Sequence, residues 1–487
     1  MPNSIAYLAL LLWPVVCWVI FQKTTRERAI IWSILGGYLL LPPVANLNLP
    51  LLPSLDKDTL PSLAVLAIGL LLWGRRFVEL PSGRWSRVLV FLFVAGAIPT
   101  VLSNRDPTIF SVLPNSDPIV FRSWQLPGLN IRDVISALGN QMIVLIPFLL
   151  ARQFLSSALA VREVLVIFVI AGLAYSVPSL FEIRFSPQLN TWIYGFFQHE
   201  FVQTMRGGGF RPIVFLPHSL WLAFFVVTSL LAAAALAHKT DREIDRRFVF
   251  AGAYLAVLLL LCKSFASIAY GMALAPLVFF FNTRFQVLVA LGFVIVAVLY
   301  PMLRGSGYIP VEALLDFANS ISPERAASLA YRFDNEELLL ERANERPWLG
   351  WGGWGRNLIM DVETQEIITI PDGRWIIVFG TYGWLGYVAE FGLLSIPVLM
   401  LARETLFGHR AEIPKTVAAV ALILSINLID MLLNAALTPI TWIFAGSVLG
   451  YAEQLRARRL VVARKDLLRP KAVIGTYAIS PSRRTEM

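Results

Sequence analysis

Two arginines flank a run of glycines in Arg206-Gly-Gly-Gly-Phe-Arg211, and a short apolar segment leads from them through Pro217 to His218. A guanidinium is a planar fork that donates two hydrogen bonds at once, which suits it to phosphate. Glycines let the backbone approach a bulky anion closely. The same residues also make a flexible turn whose arginines meet lipid headgroups, and both readings stand at this point. A second set follows. Arg332 opens a charged stretch, and Trp348, Trp351 and Trp354 come after Pro347 with glycines between them. Tryptophan faces offer a sugar ring a large amphipathic surface, although an aromatic belt at the bilayer surface is their plainer use. In Asp372-Gly373-Arg374-Trp375, a carboxylate beside cations and partly shielded by lipid can act as a general base; a turn is the commoner use of Asp-Gly.

Other chemistries are missing. There is no Gly-x-x-x-x-Gly-Lys-Ser/Thr loop for a nucleotide phosphate. The four histidines show no His-Glu-x-x-His spacing, and the cysteines number two, Cys17 and Cys262, both in apolar runs. Neither a zinc site nor a disulfide framework can be built from these, so no metal and no cofactor are expected. Asp430, Asn434, Glu390 and Lys263 fall within or between apolar runs. Ionisable groups at such depth point to function or pairing, which keeps open a competing class, a proton-coupled transporter or a flippase of polysaccharide or small molecules.

The elements that must position these residues are membrane helices. Of 487 residues, 57% are hydrophobic and 15% are charged, and the mean hydropathy is +0.67. Soluble domains carry about a quarter charged residues. Apolar runs near 4–21, 29–44, 61–73, 88–103, 134–150, 163–181, 213–237, 248–262, 265–281, 286–302, 376–401, 416–434 and 438–454 read as spans. The first has neither a basic region before it nor a small-residue cleavage site after it, and reads as a retained helix. The net charge of +9 is concentrated in short loops on one side and in the C-terminal tail. This is the positive-inside bias, so the charge reports orientation and no nucleic-acid partner is expected.

The expected fold is all-α: a polytopic transmembrane helix bundle of about 12–13 spans with a large, partly helical periplasmic loop. It divides into transmembrane helices over 1–302, the loop over 303–375, further transmembrane helices over 376–455, and a basic cytoplasmic tail over 456–487. The tail faces anionic lipid and is expected to be disordered beyond Pro470. Within the loop, Ser322-Pro323-Glu324 reads as a helix start, and Pro347 as its end. The segment 104–133, rich in Pro, Ser and Asn, is expected to be irregular.

Three stretches together resemble the O-antigen ligase and O-antigen polymerase superfamily of bacterial envelope polysaccharide assembly. They are Arg206 through His218, Cys262-Lys-Ser-Phe-Ala-Ser-Ile-Ala-Tyr-Gly271, and Arg332 through Pro347-Trp-Leu-Gly-Trp-Gly352. The likeness covers roughly residues 200–450. Two positions depart from the family pattern. Asp372-Gly373-Arg374-Trp375 stands where ligases commonly carry a His-Asn pair, and Phe265 where an arginine is common. The resemblance implies a metal-independent glycosyltransferase in the bacterial inner membrane. Its donor would be an undecaprenyl-pyrophosphate-linked glycan and its acceptor a growing glycan or the lipopolysaccharide lipid A-core, with other envelope assembly proteins as partners. The Asp372 departure favours polymerase over ligase. Arg206, Arg211 and Arg332 would hold the pyrophosphate and Asp372 would be the base. His218, Arg374, Trp348, Trp351 and Trp354 would contact the remaining substrate.

Overall fold

A computed structural model describes residues 1–48, 53–112, 122–238, 243–361, 364, 366–407 and 411–468. In hydrocarbon, a chain must satisfy each backbone N–H and C=O within the protein, so the apolar runs become helices. In order these are α1 (Ser4–Lys23), α2 (Arg26–Leu40), α3 (Leu60–Trp73), α4 (Arg84–Ala95), α5 (Ala97–Leu102), α6 (Ile131–Phe154), α7 (Ala158–Phe185), α8 (Leu189–Tyr194) and α9 (Ser219–Leu236). After them come α10 (Arg246–Leu261), α11 (Phe265–Phe280), α12 (Thr283–Gly305), α13 (Val311–Ile321), α14 (Pro323–Asn344), α15 (Arg374–Ala402), α16 (Lys415–Leu433) and α17 (Pro439–Leu468). Each expected span falls on one of these helices, the fourth being divided at Gly96.

The protein is an all-α, multi-pass membrane bundle. Among the described residues, eight helical segments are long and apolar enough to cross a membrane unaided: α1, α4–α5, α6, α7, α9, α12, α15 and α16. Helices α2, α3, α10 and α11 have 15, 14, 16 and 16 residues. They are shorter than the roughly 20 residues a straight span needs and pack against their neighbours. Helices α9 and α16 are the most enclosed. Helix α16 touches α7, α9, α11, α12, α15 and α17, so its end is a fixed point for anything built there.

Helix α15 is broken at Gly383, whose φ of 64° and ψ of −162° are not helical. Continuing the helix would bond the amides of Trp384 and Leu385 to the carbonyls of Gly380 and Thr381. Instead, the segment Pro347–Gly352 inserts at the break. Trp384 N–H donates to Pro347 O (2.7 Å) and Leu385 N–H to Trp348 O (3.3 Å), while Trp351 and Gly352 donate to Gly380 O and Thr381 O, both at 2.9 Å. The fit is close enough that a Cβ on Gly350 would lie 2.4 Å from the Thr381 carbonyl, and one on Gly383 2.3 Å from Trp348 C. The Pro-x-Leu-Gly-x-Gly pattern thus works through its backbone. It satisfies a break in a buried membrane helix, and only glycine allows the approach.

The connection from α12 to α15 runs over residues 306–373, slightly inside the expected bounds because α12 continues to Gly305. Helix α14 starts where Ser322-Pro323 indicated, with Pro323 in its first turn. The segment expected to be irregular contains an antiparallel ribbon. Its strands are β1 (Thr108–Val112) and β2 (Arg122–Leu126), with Thr108 opposite Leu126. Turn-forming residues around the strands hide their alternation. The Arg206–Arg211 segment is likewise a tight hairpin, with β3 (Met205–Arg206) pairing β4 (Gly209–Phe210) across Gly207 and Gly208. Both of these glycines have positive φ, 55° and 68°, as a two-residue turn of this kind requires. The coil expected beyond Pro470, and Lys239, Arg242, His409 and Arg410, lie outside the described residues.

One end of the bundle gathers these connections. Asn3 bonds to Ile193, Lys57 to Phe215, Lys263 to Arg206, Arg346 to Asn104 and Arg356 to Pro127 and Asp106. The N-terminus therefore shares an end with the long loop. The opposite end carries the ion pairs Arg28–Glu163, Arg152–Glu453 and Arg459–Glu404.

Candidate anion site at the loop end

Arg211 follows β4 and is buried, 3% exposed. Its Nε and Nη2 have no hydrogen-bond partner among the described residues. Burial, and after it the charge of Arg206, lowers its guanidinium to about 10, with the Arg332 charge acting in the same direction. Leaving a buried cation uncompensated is strongly destabilising, which makes this guanidinium a candidate ligand for an anion.

The chain around Arg211 is held from several sides. Glu182, at the end of α7, accepts the amides of Ile213 (2.8 Å) and Val214 (2.7 Å) on one oxygen and that of Leu189 (3.2 Å) on the other. Phe215 N–H donates to the Tyr175 hydroxyl, and Lys57 Nζ donates to Phe215 O. Gln198 donates to the carbonyls of Val214 and Leu216. These bonds hold Val214 at a φ of 57°, which a β-branched residue adopts only when its surroundings impose it. Glu182 and Lys57 were not singled out in the sequence. The only sign of Glu182 was an acid placed at the end of a span.

Lys263 sits in the turn between α10 and α11, itself at a φ of 53°. Its Nζ donates to Arg206 O (2.9 Å) and Gly207 O (3.1 Å), pinning the hairpin. Over Phe265 lies the Arg325 guanidinium, 4.1 Å from the ring centre. Arg325 Nη1 is buried with no hydrogen-bond partner among the described residues.

Arg332 comes from α14 and meets the end of α16. Its Nη1 donates to Leu433 O (2.8 Å) and to Asn434 Oδ1 (2.9 Å). A cation at a helix C-terminus is favourable there. Asn434 Nδ2 in turn donates to Asp430 Oδ1 at 3.1 Å, and Arg332 Nε lies 3.6 Å from Asp372 Oδ2. Burial raises the Asp372 carboxyl above its ordinary value, with Arg332 pulling it back. Asn335 accepts the Ile370 amide (2.8 Å) and so fixes the approach to Asp372. Buried Glu336 ties α14 to α12 and α15 through Arg304 (2.8 Å), Tyr300 (3.1 Å) and Trp375 (3.1 Å). The space lined by Arg332, Glu336, Asp372 and Leu433 measures about 10 Å³, enough for a single water at most. A sugar between Arg332 and Asp372 requires α14 to shift.

His218 is the N-cap of α9, its Nδ1 accepting the Leu220 amide at 3.0 Å. Burial lowers it to about 3, helped by His199 and then by Arg211, Arg332 and Arg206. The neutral ring, accepting through Nδ1, carries its proton on Nε2. It can donate one hydrogen bond but supplies no charge. The His199 ring lies 4.4 Å away, centre to centre.

The remaining expected site residues divide. Arg374 is committed to Glu390 through two bonds, 2.7 and 2.6 Å. Trp351 is buried with the Arg342 and Arg346 guanidinium groups 3.4 and 4.3 Å from its ring centre, and its Nε1 donates to Arg342 O. Both residues therefore already have partners within the protein. Trp348 and Trp354 are exposed. No group of three or more His, Cys, Asp or Glu side chains that could hold a metal ion occurs among the described residues.

Comparison with protein-family models and with curated proteins finds no match for this sequence.

Proposed function

We propose that the protein is a glycosyltransferase of the bacterial inner membrane that transfers or polymerises glycan from an undecaprenyl-pyrophosphate-linked donor on the periplasmic face. The observation that carries this reading is Arg211. It is a buried guanidinium with two nitrogens unpartnered, with Arg206 and Arg332 brought to it from a hairpin and a loop helix at one end of a membrane bundle. Transfer moves the anomeric carbon from pyrophosphate oxygen to an acceptor hydroxyl oxygen. Negative charge grows on the departing pyrophosphate, and fixed cations in a water-poor site stabilise it most. Arg211 and Arg206 take the pyrophosphate, and neutral His218 adds one Nε2–H donor. Asp372 removes the acceptor proton, and its raised carboxyl makes it a stronger base than an exposed aspartate.

The site offers less support to proton-coupled transport. Glu390 is ion-paired with Arg374, which leaves Asp430, hydrogen-bonded to the neutral amide of Asn434, as the one of these two carboxylates at depth that such transport could use. Within glycan assembly we favour the polymerase, with lipid A-core ligation as the second reading, because an aspartate stands where ligases carry histidine. A deletion strain separates them. Loss of a polymerase leaves single repeats on the lipid core, and loss of a ligase leaves long chains on the carrier. Unchanged surface polysaccharide in that strain contradicts both.

A further inference from the structure

A separate cleft of about 270 Å³ opens between the start of α3, α6 and the Gly/Trp segment of the loop, lined by Asp56, Ser136, Asn140, Trp354 and Tyr382 among others. Trp354 is 56% exposed and has a φ of 59°, a conformation a bulky residue adopts only when its surroundings impose it. The strain is held from both sides. Upstream, Trp351 and Gly352 are bonded into the break of α15. Downstream, buried Arg356 donates to Trp351 O (3.2 Å), Pro127 O (2.7 Å) and Asp106 O (2.9 Å). The indole is thus a preorganised platform at the mouth of a cleft. Ser136 and Asn140 lie one turn apart on α6, and neither they nor Tyr382 spend their side chains on a hydrogen bond to another described residue.

These features choose among ligands. Asp56 is the carboxylate at this cleft and the arginines of the anion site are not part of its wall, so a pyrophosphate is disfavoured. Hydroxyl, amide and carboxylate groups are poor company for a lipid tail. An uncharged sugar ring, with an apolar face for the indole and hydroxyls for Asn140 and Ser136, matches these groups, while Asp56 Oδ1 is already taken by the amides of Asp58 and Thr59 and by the Thr59 hydroxyl. We propose that this cleft is a glycan-binding subsite, with Trp354 as the stacking platform and Asn140 as a hydrogen-bonding partner. The choice of glycan as ligand class rests on the transferase reading above.

The test uses full-length protein in nanodiscs and, as probe, free oligosaccharide repeats released from the surface polysaccharide of the cells that make it. Calorimetric binding needs no turnover. Trp354→Ala is expected to weaken binding about tenfold or more, as loss of an aromatic anchor does. Trp354→Phe is expected to keep most of the affinity, and Asn140→Ala to lose part of it. Tyr308→Ala, at another exposed aromatic of the loop (77% exposed), serves as the control and should bind as wild type does. Wild-type affinity in both Trp354→Ala and Asn140→Ala overturns the subsite, as does absence of binding to the wild type. Trp354-dependent binding by a protein that never transfers glycan upholds the cleft and overturns the transferase reading. Transfer by wild type and Trp354→Ala alike, with equal affinity, does the reverse.

Discussion

A carboxylate works as a base only when unprotonated, so the role proposed for Asp372 carries a pH dependence. Burial raises its carboxyl and Arg332 lowers it again. The rate should therefore fall as pH drops through a value above that of an exposed aspartate. Removing the Arg332 charge by Arg332→Met should move this acid limb to higher pH in a kcat/KM profile, and an unmoved limb contradicts the pairing. Asp372→Asn is expected to lower kcat by about 10²–10³-fold, the usual contribution of a general base. Glu182 acts one step back by holding the amides beside Arg211. Glu182→Ala strands buried donors, at a cost of about 1–3 kcal/mol for each, and should lower the thermal unfolding midpoint in detergent. Arg206, Arg211, Arg332 and Asp372 stand out in the sequence as charged groups beside apolar runs, a pattern that lipid-headgroup contact or a turn would also produce. Glu182, Lys57 and Glu336 do not, because their roles come from long-range bonds that no local spacing encodes. The protein partners of Trp351 and Arg374, which are Arg342 and Glu390, are hidden for the same reason.

At the scale of elements, helix positions followed from hydrophobic runs, since a membrane-facing backbone has few alternatives to a helix. What sequence alone does not reveal is how helices are broken and re-paired. Gly383 looks like an ordinary glycine in an apolar run, yet it marks the point where Pro347–Gly352 enters α15. Gly383→Ala would meet Trp348 at 2.3 Å and force a positive φ on alanine, the backbone alone costing about 1–3 kcal/mol. We expect a lower unfolding midpoint for this variant in detergent, with weakened glycan transfer because the loop helix loses its anchor. Gly292→Ala, at an open position with nothing within 4 Å, is the control and should unfold near the wild-type temperature. The β1–β2 ribbon was missed because its short strands are flanked by proline, serine and asparagine, whose turn preferences dominate a local reading.

For the whole molecule, the bundle puts the N-terminus, the Arg206–Arg211 hairpin and the long loop at one end, and the Arg152–Glu453 and Arg459–Glu404 pairs at the other. If the loop end faces the periplasm, a cysteine introduced at Gly353 should react with a membrane-impermeant maleimide in intact spheroplasts. One introduced at Arg458 should react only after lysis. The reverse pattern would invert the orientation. The central claim is that the buried arginine and the aspartate act on a lipid-linked pyrophosphate glycan, and purified protein incubated with lipid-linked repeats tests it most directly. Wild type should release undecaprenyl pyrophosphate and form longer or transferred glycan, while Arg211→Ala and Asp372→Asn should each reduce that release at least about a hundredfold. Full activity in both variants would contradict the account.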